Sequence, residues 1–162
     1  MQEIRLRNMT SLYLVNDEGV LCLYRIGSRI ANNVYVGTAG GHFENGELND
    51  PKACVLREAK EELGLEERDL ENLALRYITH RLKDGEIRQN YFYFARMKSE
   101  RQLTSNEGEL RFVPFEEIPS LEMPVSAKHM ICHYIEYGRF TDEIYAGITE
   151  EEGTEFVALS DF

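Results

Sequence analysis

Three glutamates, Glu58, Glu61 and Glu62, lie close together in the run Arg57-Glu58-Ala59-Lys60-Glu61-Glu62-Leu63-Gly64-Leu65. Positions three and four apart share a face of an α-helix. At roughly 100° per residue the three carboxylates occupy an arc of only about 100°. Val55, Leu56, Ala59 and Leu63 fall mostly on the other side, where they can pack against a sheet. Like charges at this spacing repel, at a cost of a few tenths of a kcal/mol per pair. Two readings stay open on the helix alone. One is a solvated acidic face relieved by Lys60 and Arg57. The other is a carboxylate cluster neutralised by a hard cation, since carboxylate oxygens are what Mg²⁺ or Mn²⁺ prefers.

The helix has signals at both ends. Asp50 can cap it, Pro51 suits its first turn, and Gly64 suits the left-handed residue that ends it. Ahead of it, Val34-Tyr35-Val36 reads as a short strand running into a loop, Gly37-Thr38-Ala39-Gly40-Gly41. Two hairpins flank this segment. Met9–Val15 and Val20–Tyr24 surround Asn16-Asp17-Glu18-Gly19, and Leu73–Arg81 and Glu86–Met97 surround Lys83-Asp84-Gly85. The aromatic run Gln89–Ala95 predicts a central strand covered on both faces. A second helix is expected over Ser126–Tyr137, and Glu155–Leu159 as a last strand within an acidic extension, 138–162. The order strands, helix, strands, helix predicts one mixed sheet flanked by helices, in a single domain over 1–162.

Composition narrows the classes. The chain has 162 residues, 43% hydrophobic and 29% charged, which suits one globular domain. No apolar run approaches the 20 or so residues of a membrane span, and the first residues lack the apolar centre of a secretory signal. The expected location is therefore the cytoplasm. Cys22, Cys54 and Cys132 have no metal-ligand spacing and are expected as reduced thiols. A net charge of −11 argues against a nucleic-acid polymer as partner. A small anionic substrate remains compatible if a divalent cation stands between it and the protein.

The stretch from Gly40-Gly41-His42-Phe43-Glu44-Asn45-Gly46-Glu47 to Arg57-Glu58-Ala59-Lys60-Glu61-Glu62-Leu63-Gly64-Leu65 resembles the Nudix box. That pattern is Gly, five residues, Glu, seven residues, then Arg-Glu-aliphatic-x-Glu-Glu-x-Gly-aliphatic. Every fixed position is present, but nine residues separate Glu47 from Arg57. The extra two are expected to lengthen the loop Leu48–Pro51. The resemblance, closest to MutT-like members, implies a Nudix-type α/β/α sandwich and a Mg²⁺-dependent pyrophosphohydrolase, with Mn²⁺ as a substitute. It implies Glu58 and Glu62 as metal ligands, Glu61 as a ligand or the group that orients water, and the Gly40 carbonyl as a further ligand. Arg57 would orient a carboxylate, with Glu47 as partner. An additional acid is expected from Asn106-Glu107-Gly108-Glu109, with Glu107 ahead of Glu109.

Arg25 and Arg29 are candidates for meeting phosphate oxygens. Leu121-Glu122-Met123-Pro124-Val125-Ser126-Ala127-Lys128 resembles the segment before the last helix in MutT-like enzymes acting on 8-oxo-dGTP, with Glu122 or a neighbour where they carry the asparagine that reads the base. Tyr77, Tyr91 and Tyr93 could stack a base or simply pack within a sheet. His42, His80, His129 and His133 have no ligand-like spacing and are expected in packing or at the surface. The substrate expected is a small nucleotide, taken by a monomer or homodimer. The alternatives are a Nudix hydrolase of a dinucleoside polyphosphate or nucleotide sugar, and a non-catalytic nucleotide-binding regulator.

Overall fold

The computed structural model describes residues 3–27 and 32–162. Among these residues nine strands form one mixed sheet with a helix on each face. The strands are β1 (Arg5–Val15), β2 (Gly19–Arg25), β3 (Val34–Val36), β4 (Ala39–His42), β5 (Leu70–Lys83), β6 (Glu86–Met97), β7 (Gly108–Pro114), β8 (Tyr145–Thr149) and β9 (Thr154–Ala158). Helix α1 spans Pro51–Leu63 and α2 spans Val125–Glu136. The sheet order is β3-β2-β1-β6-β5-β8-β9, with β4 added to β1 and β7 to β2.

Alternation along β1 divides the core in two. Leu12 and Leu14 face α1 and join Val55, Ala59, Leu63, Leu65, Tyr93 and Ala95. Tyr13 faces the other way and joins Tyr77, Phe92, Phe94, Met130, Ile131 and Tyr134 under α2. Phe94 stacks on Tyr134 at 4.0 Å and on Tyr13 at 5.3 Å between ring centres. Each such side chain taken from water contributes about 1.5–3 kcal/mol. β6 lies between β1 and β5, so the aromatic run is central and covered on both faces as expected.

Helix α1 begins and ends where its sequence signals place it. Asp50 accepts a hydrogen bond from the Ala53 amide at 3.0 Å, and Gly64 adopts φ 68° and donates to Ala59 and Lys60 carbonyls. Other details differ from or add to these expectations. The glycine segment is only partly a loop, because Ala39–His42 is extended and pairs with β1 from Met9 to Leu12. β7, which follows the acidic turn, pairs with β2 along its whole length; its sparse apolar pattern hides it in sequence. The acidic extension supplies two strands, β8 on β5 and β9 on β8. The residues before α1 form a 3-10 turn at Asn45–Glu47, so the longer spacer follows a structured turn. Helix α2 starts and stops one residue earlier than expected.

The cysteines are free. Burial pushes the Cys22 and Cys54 thiols up to about 12 and about 11, so neither is a ready nucleophile at neutral pH. No helix among the described residues is long and apolar enough to cross a membrane.

Candidate active site

Helix α1 lies against β4, and this contact shapes the site. Gly40 approaches the β1 backbone closely, and a Cβ there would strike the Thr10 carbonyl. At Gly41 a Cβ would run into the Glu58 carboxylate. Two glycines in sequence therefore let a helix carboxylate rest directly on a strand backbone. Glu62 uses the same approach, accepting a hydrogen bond from the Gly40 amide at 3.2 Å.

Arg57 organises the other side. Its guanidinium holds Glu47 through two contacts, Nε–Oε1 at 2.6 Å and Nη2–Oε2 at 3.2 Å. It also donates to Glu58 at 2.8 Å, to Glu61 at 3.1 Å and to the His42 carbonyl at 3.0 Å. Glu47 is buried and accepts the Glu44 amide at 2.9 Å. These bonds to Arg57, with help from the Glu44 amide, hold the Glu47 carboxyl down at about 2. Despite the long spacer, the box glutamate and arginine meet in a bidentate pair.

A third element closes the site. Glu107, in the turn before β7, faces Arg25 at the end of β2, with Nη2–Oε2 at 2.8 Å. Arg25, Gly40, Gly41, His42, Arg57, Glu58, Glu62 and Glu107 together line a cleft of about 390 Å³. Glu62 is pushed up to about 8, first by burial and then by the charges of Glu107 and Glu58. Glu58 is also raised, chiefly by burial, with Glu61 and Glu107 adding and Arg57 opposing. Carboxylates so placed gain from a nearby cation.

Among the described residues no three His, Cys, Asp or Glu side chains already converge to hold a metal ion. Arg57 and Arg25 engage Glu58, Glu61 and Glu107 instead. The oxygen-only donor set nonetheless fits a hard divalent ion.

Glu61 is outside the cleft lining, bonded to Arg57, with its side chain 58% exposed. Glu109 pairs with Arg111 within β7 and stands outside the cleft. Glu122 is exposed in the loop before α2, also outside the cleft, while its carbonyl accepts the Tyr35 amide at 2.8 Å. Arg29 lies outside the described residues. Tyr77 is fully buried and hydrogen-bonded to His133 at 2.8 Å, so it packs rather than stacks a base. Tyr93 is buried under α1, and Tyr91 packs on Phe43. Sequence reasoning missed His42, which lines the cleft and accepts a hydrogen bond from Arg7. Its place directly after the glycine pair was the available signal.

Residues 5–134 match the NUDIX domain. The chain belongs to the Nudix family. The family places it among hydrolases acting on pyrophosphate bonds of small nucleotide substrates. Nudix hydrolases use divalent metal ions. None of the curated proteins matches this Nudix chain. Among solved structures it is similar to a mutator MutT protein from Bacillus halodurans, at 22% identity and TM-score 0.68, covering 95% of this chain and 98% of that one. A NUDIX hydrolase from Nitrosomonas europaea matches at 14% identity and TM-score 0.68, over 91% and 80% of the two chains. A MutT protein from Methanosarcina mazei matches at 16% identity and TM-score 0.67, over 87% and 100%. At these identities the likeness is one of fold.

Proposed function

We propose that this Nudix protein, taken as one domain over 1–162, is a Mg²⁺-dependent hydrolase of a nucleoside-diphosphate derivative, with Mn²⁺ as a substitute. The supporting observation is the facing of Glu58, Glu62 and Glu107 across one cleft that also holds Gly40 and Arg25. Glu58, Glu62, Glu107, Glu61 and the Gly40 carbonyl would hold the metal. When bound, it lowers the pKa of a water and offsets phosphate charge.

The chain's own groups supply the rest. Arg57 keeps Glu47 and Glu58 in place, and Arg25, paired with Glu107, would be free to meet a phosphate oxygen if a cation held Glu107. Glu61 orients or deprotonates water. Water adds to phosphorus, the bridging P–O bond breaks, and the proton leaves through a cleft carboxylate.

The substrate we favour is an oxidised purine nucleotide such as 8-oxo-dGTP, cut to the monophosphate and pyrophosphate. Glu122, beside the β3 strand through its carbonyl bond to Tyr35, would accept hydrogen bonds from the guanine edge. A non-catalytic regulator would have no use for a cluster of mutually repelling carboxylates. The test is hydrolysis of a nucleotide panel with Mg²⁺ and after metal is stripped with excess EDTA. Metal-dependent release of a monophosphate is expected. Full activity in EDTA, or no hydrolysis of any diphosphate, would overturn the reading.

A further inference from the structure

At the open end of the sheet, on the face that carries α2, the strand register lines up cations. Arg7 of β1 is the partner of Arg88 of β6, and Arg88 is the partner of Arg81 of β5. In the next row Arg5, Glu86 and Lys83 stand opposite one another. Five cations and one carboxylate thus share one patch, on a chain whose net charge is −11. Like charges directly opposite on neighbouring strands destabilise a sheet. Glu86 relieves part of this, contacting Arg88 at 2.9 Å and Arg7 at 3.7 Å. Among the described residues Arg5, Arg81 and Lys83 have no ion-pair partner. Packing gives no reason for three arginines abreast, about 10 Å across three strands.

One residue links the row to the cleft. Arg7 donates to the ring of His42, which lines the cleft with Glu58 and Glu62. Gly40 is opposite Ser11 on β1, four residues from Arg7, so the row begins roughly 13 Å along the strand from Gly40 at about 3.3 Å per residue. A substrate with its diphosphate at Gly40 that passed His42 from the α1 face to the α2 face of the sheet would present its far end to Arg7, Arg88 and Arg81.

We infer that Arg7, Arg88 and Arg81 form a second anion subsite, which receives a further phosphate carried by the substrate beyond the scissile diphosphate. This rests on the diphosphate-hydrolase reading. The subsite extends the accepted substrates to nucleotide derivatives with anionic groups at both ends. Arginine suits the task because its planar donors grip phosphate oxygens in pairs.

Two measurements test it. The first is calorimetric titration of inorganic pyrophosphate into the full chain in EDTA, where the carboxylate cleft repels anions. Saturable binding is expected. Arg88→Gln and Arg81→Gln should each weaken it at least roughly tenfold, while Arg88→Lys retains most of it and Glu62→Gln leaves it intact. The second compares KM, with Mg²⁺, for reduced nicotinamide adenine dinucleotide and its 2′-phosphorylated form. Arg88→Gln should raise KM for the phosphorylated member alone, at unchanged kcat. No binding by the wild type, equal binding by the glutamine variants, or an unchanged KM ratio overturns the inference. A wild type that hydrolyses other nucleotides but neither dinucleotide also overturns it. Loss of hydrolysis across the whole nucleotide panel would instead sink the parent reading, with the pyrophosphate titration unaffected.

Discussion

The guanidinium of Arg57 grips the buried carboxylate of Glu47, ten residues earlier, through contacts of 2.6 and 3.2 Å. That pair ties the turn after β4 to the helix that bears the acidic cluster. It also draws Arg57 into range of Glu58 and Glu61, so one residue sets the resting position of three carboxylates.

The pair should make stability depend on acid pH in a specific window. Glu47 lies at about 2 in the folded protein against an ordinary value of 4.5. A depressed carboxyl stabilises the fold above its unfolded pKa, and that contribution is lost as pH falls through the folded value. Thermal unfolding of Glu47→Gln should therefore show a lower Tm than wild type at pH 7, with the gap closing between pH 4.5 and 2. Parallel Tm curves across that range would remove the pair from the stability of the fold.

Glu62 carries the opposite sign. Its folded value, about 8, lies above its unfolded one because of burial and the facing Glu107 and Glu58. The contribution of the protonated group is fully present below about 4.5 and disappears as pH rises through about 8. The metal-free Glu62→Gln variant should accordingly melt higher than wild type at pH 9 and close to it at pH 5. With Mg²⁺ the same variant should lose at least roughly a hundredfold in turnover, the scale of removing a principal electrostatic stabiliser. Near-normal turnover would take Glu62 out of the site.

Gly41 should tolerate a methyl in the fold but not in the chemistry. The Cβ of Gly41→Ala meets the end of the Glu58 side chain, which can move, rather than backbone. Displacing that carboxylate should cut kcat at least roughly tenfold, because misplacement by about an ångström is enough to cost that much. The Tm should stay near wild type. A fully active Gly41→Ala would show that the resting position of Glu58 does not matter.

Base preference tests Glu122. If its carboxylate accepts from the guanine N1–H and amine, an adenine analogue leaves polar groups unpaired at about 1–3 kcal/mol, or roughly 5- to 150-fold. Specificity constants for 8-oxo-dGTP and dGTP should exceed that for dATP, and Glu122→Ala should mainly erase the difference. Equal constants in the wild type would exclude this role.

The chemistry of α1 was legible in the chain because it is local. Asp50, Pro51 and Gly64 bound a helix whose 3.6-residue period alone places Glu58, Glu61 and Glu62 together. Both hairpins were legible from their turns, and the box spacing pointed to Arg57 and Glu47. What tertiary structure decided involves partners far apart along the chain. Only the pairing of β7 with β2 brings Glu107 to Arg25, 82 residues away, and only the docking of β4 on β1 sets Gly40 and Gly41 against the helix. The row of Arg7, Arg88 and Arg81 exists because three strands share one register, and a slip of a single residue would turn one of these arginines to the other face. Register is fixed by burial on both faces of the sheet, a property of the whole core that no short window of residues contains.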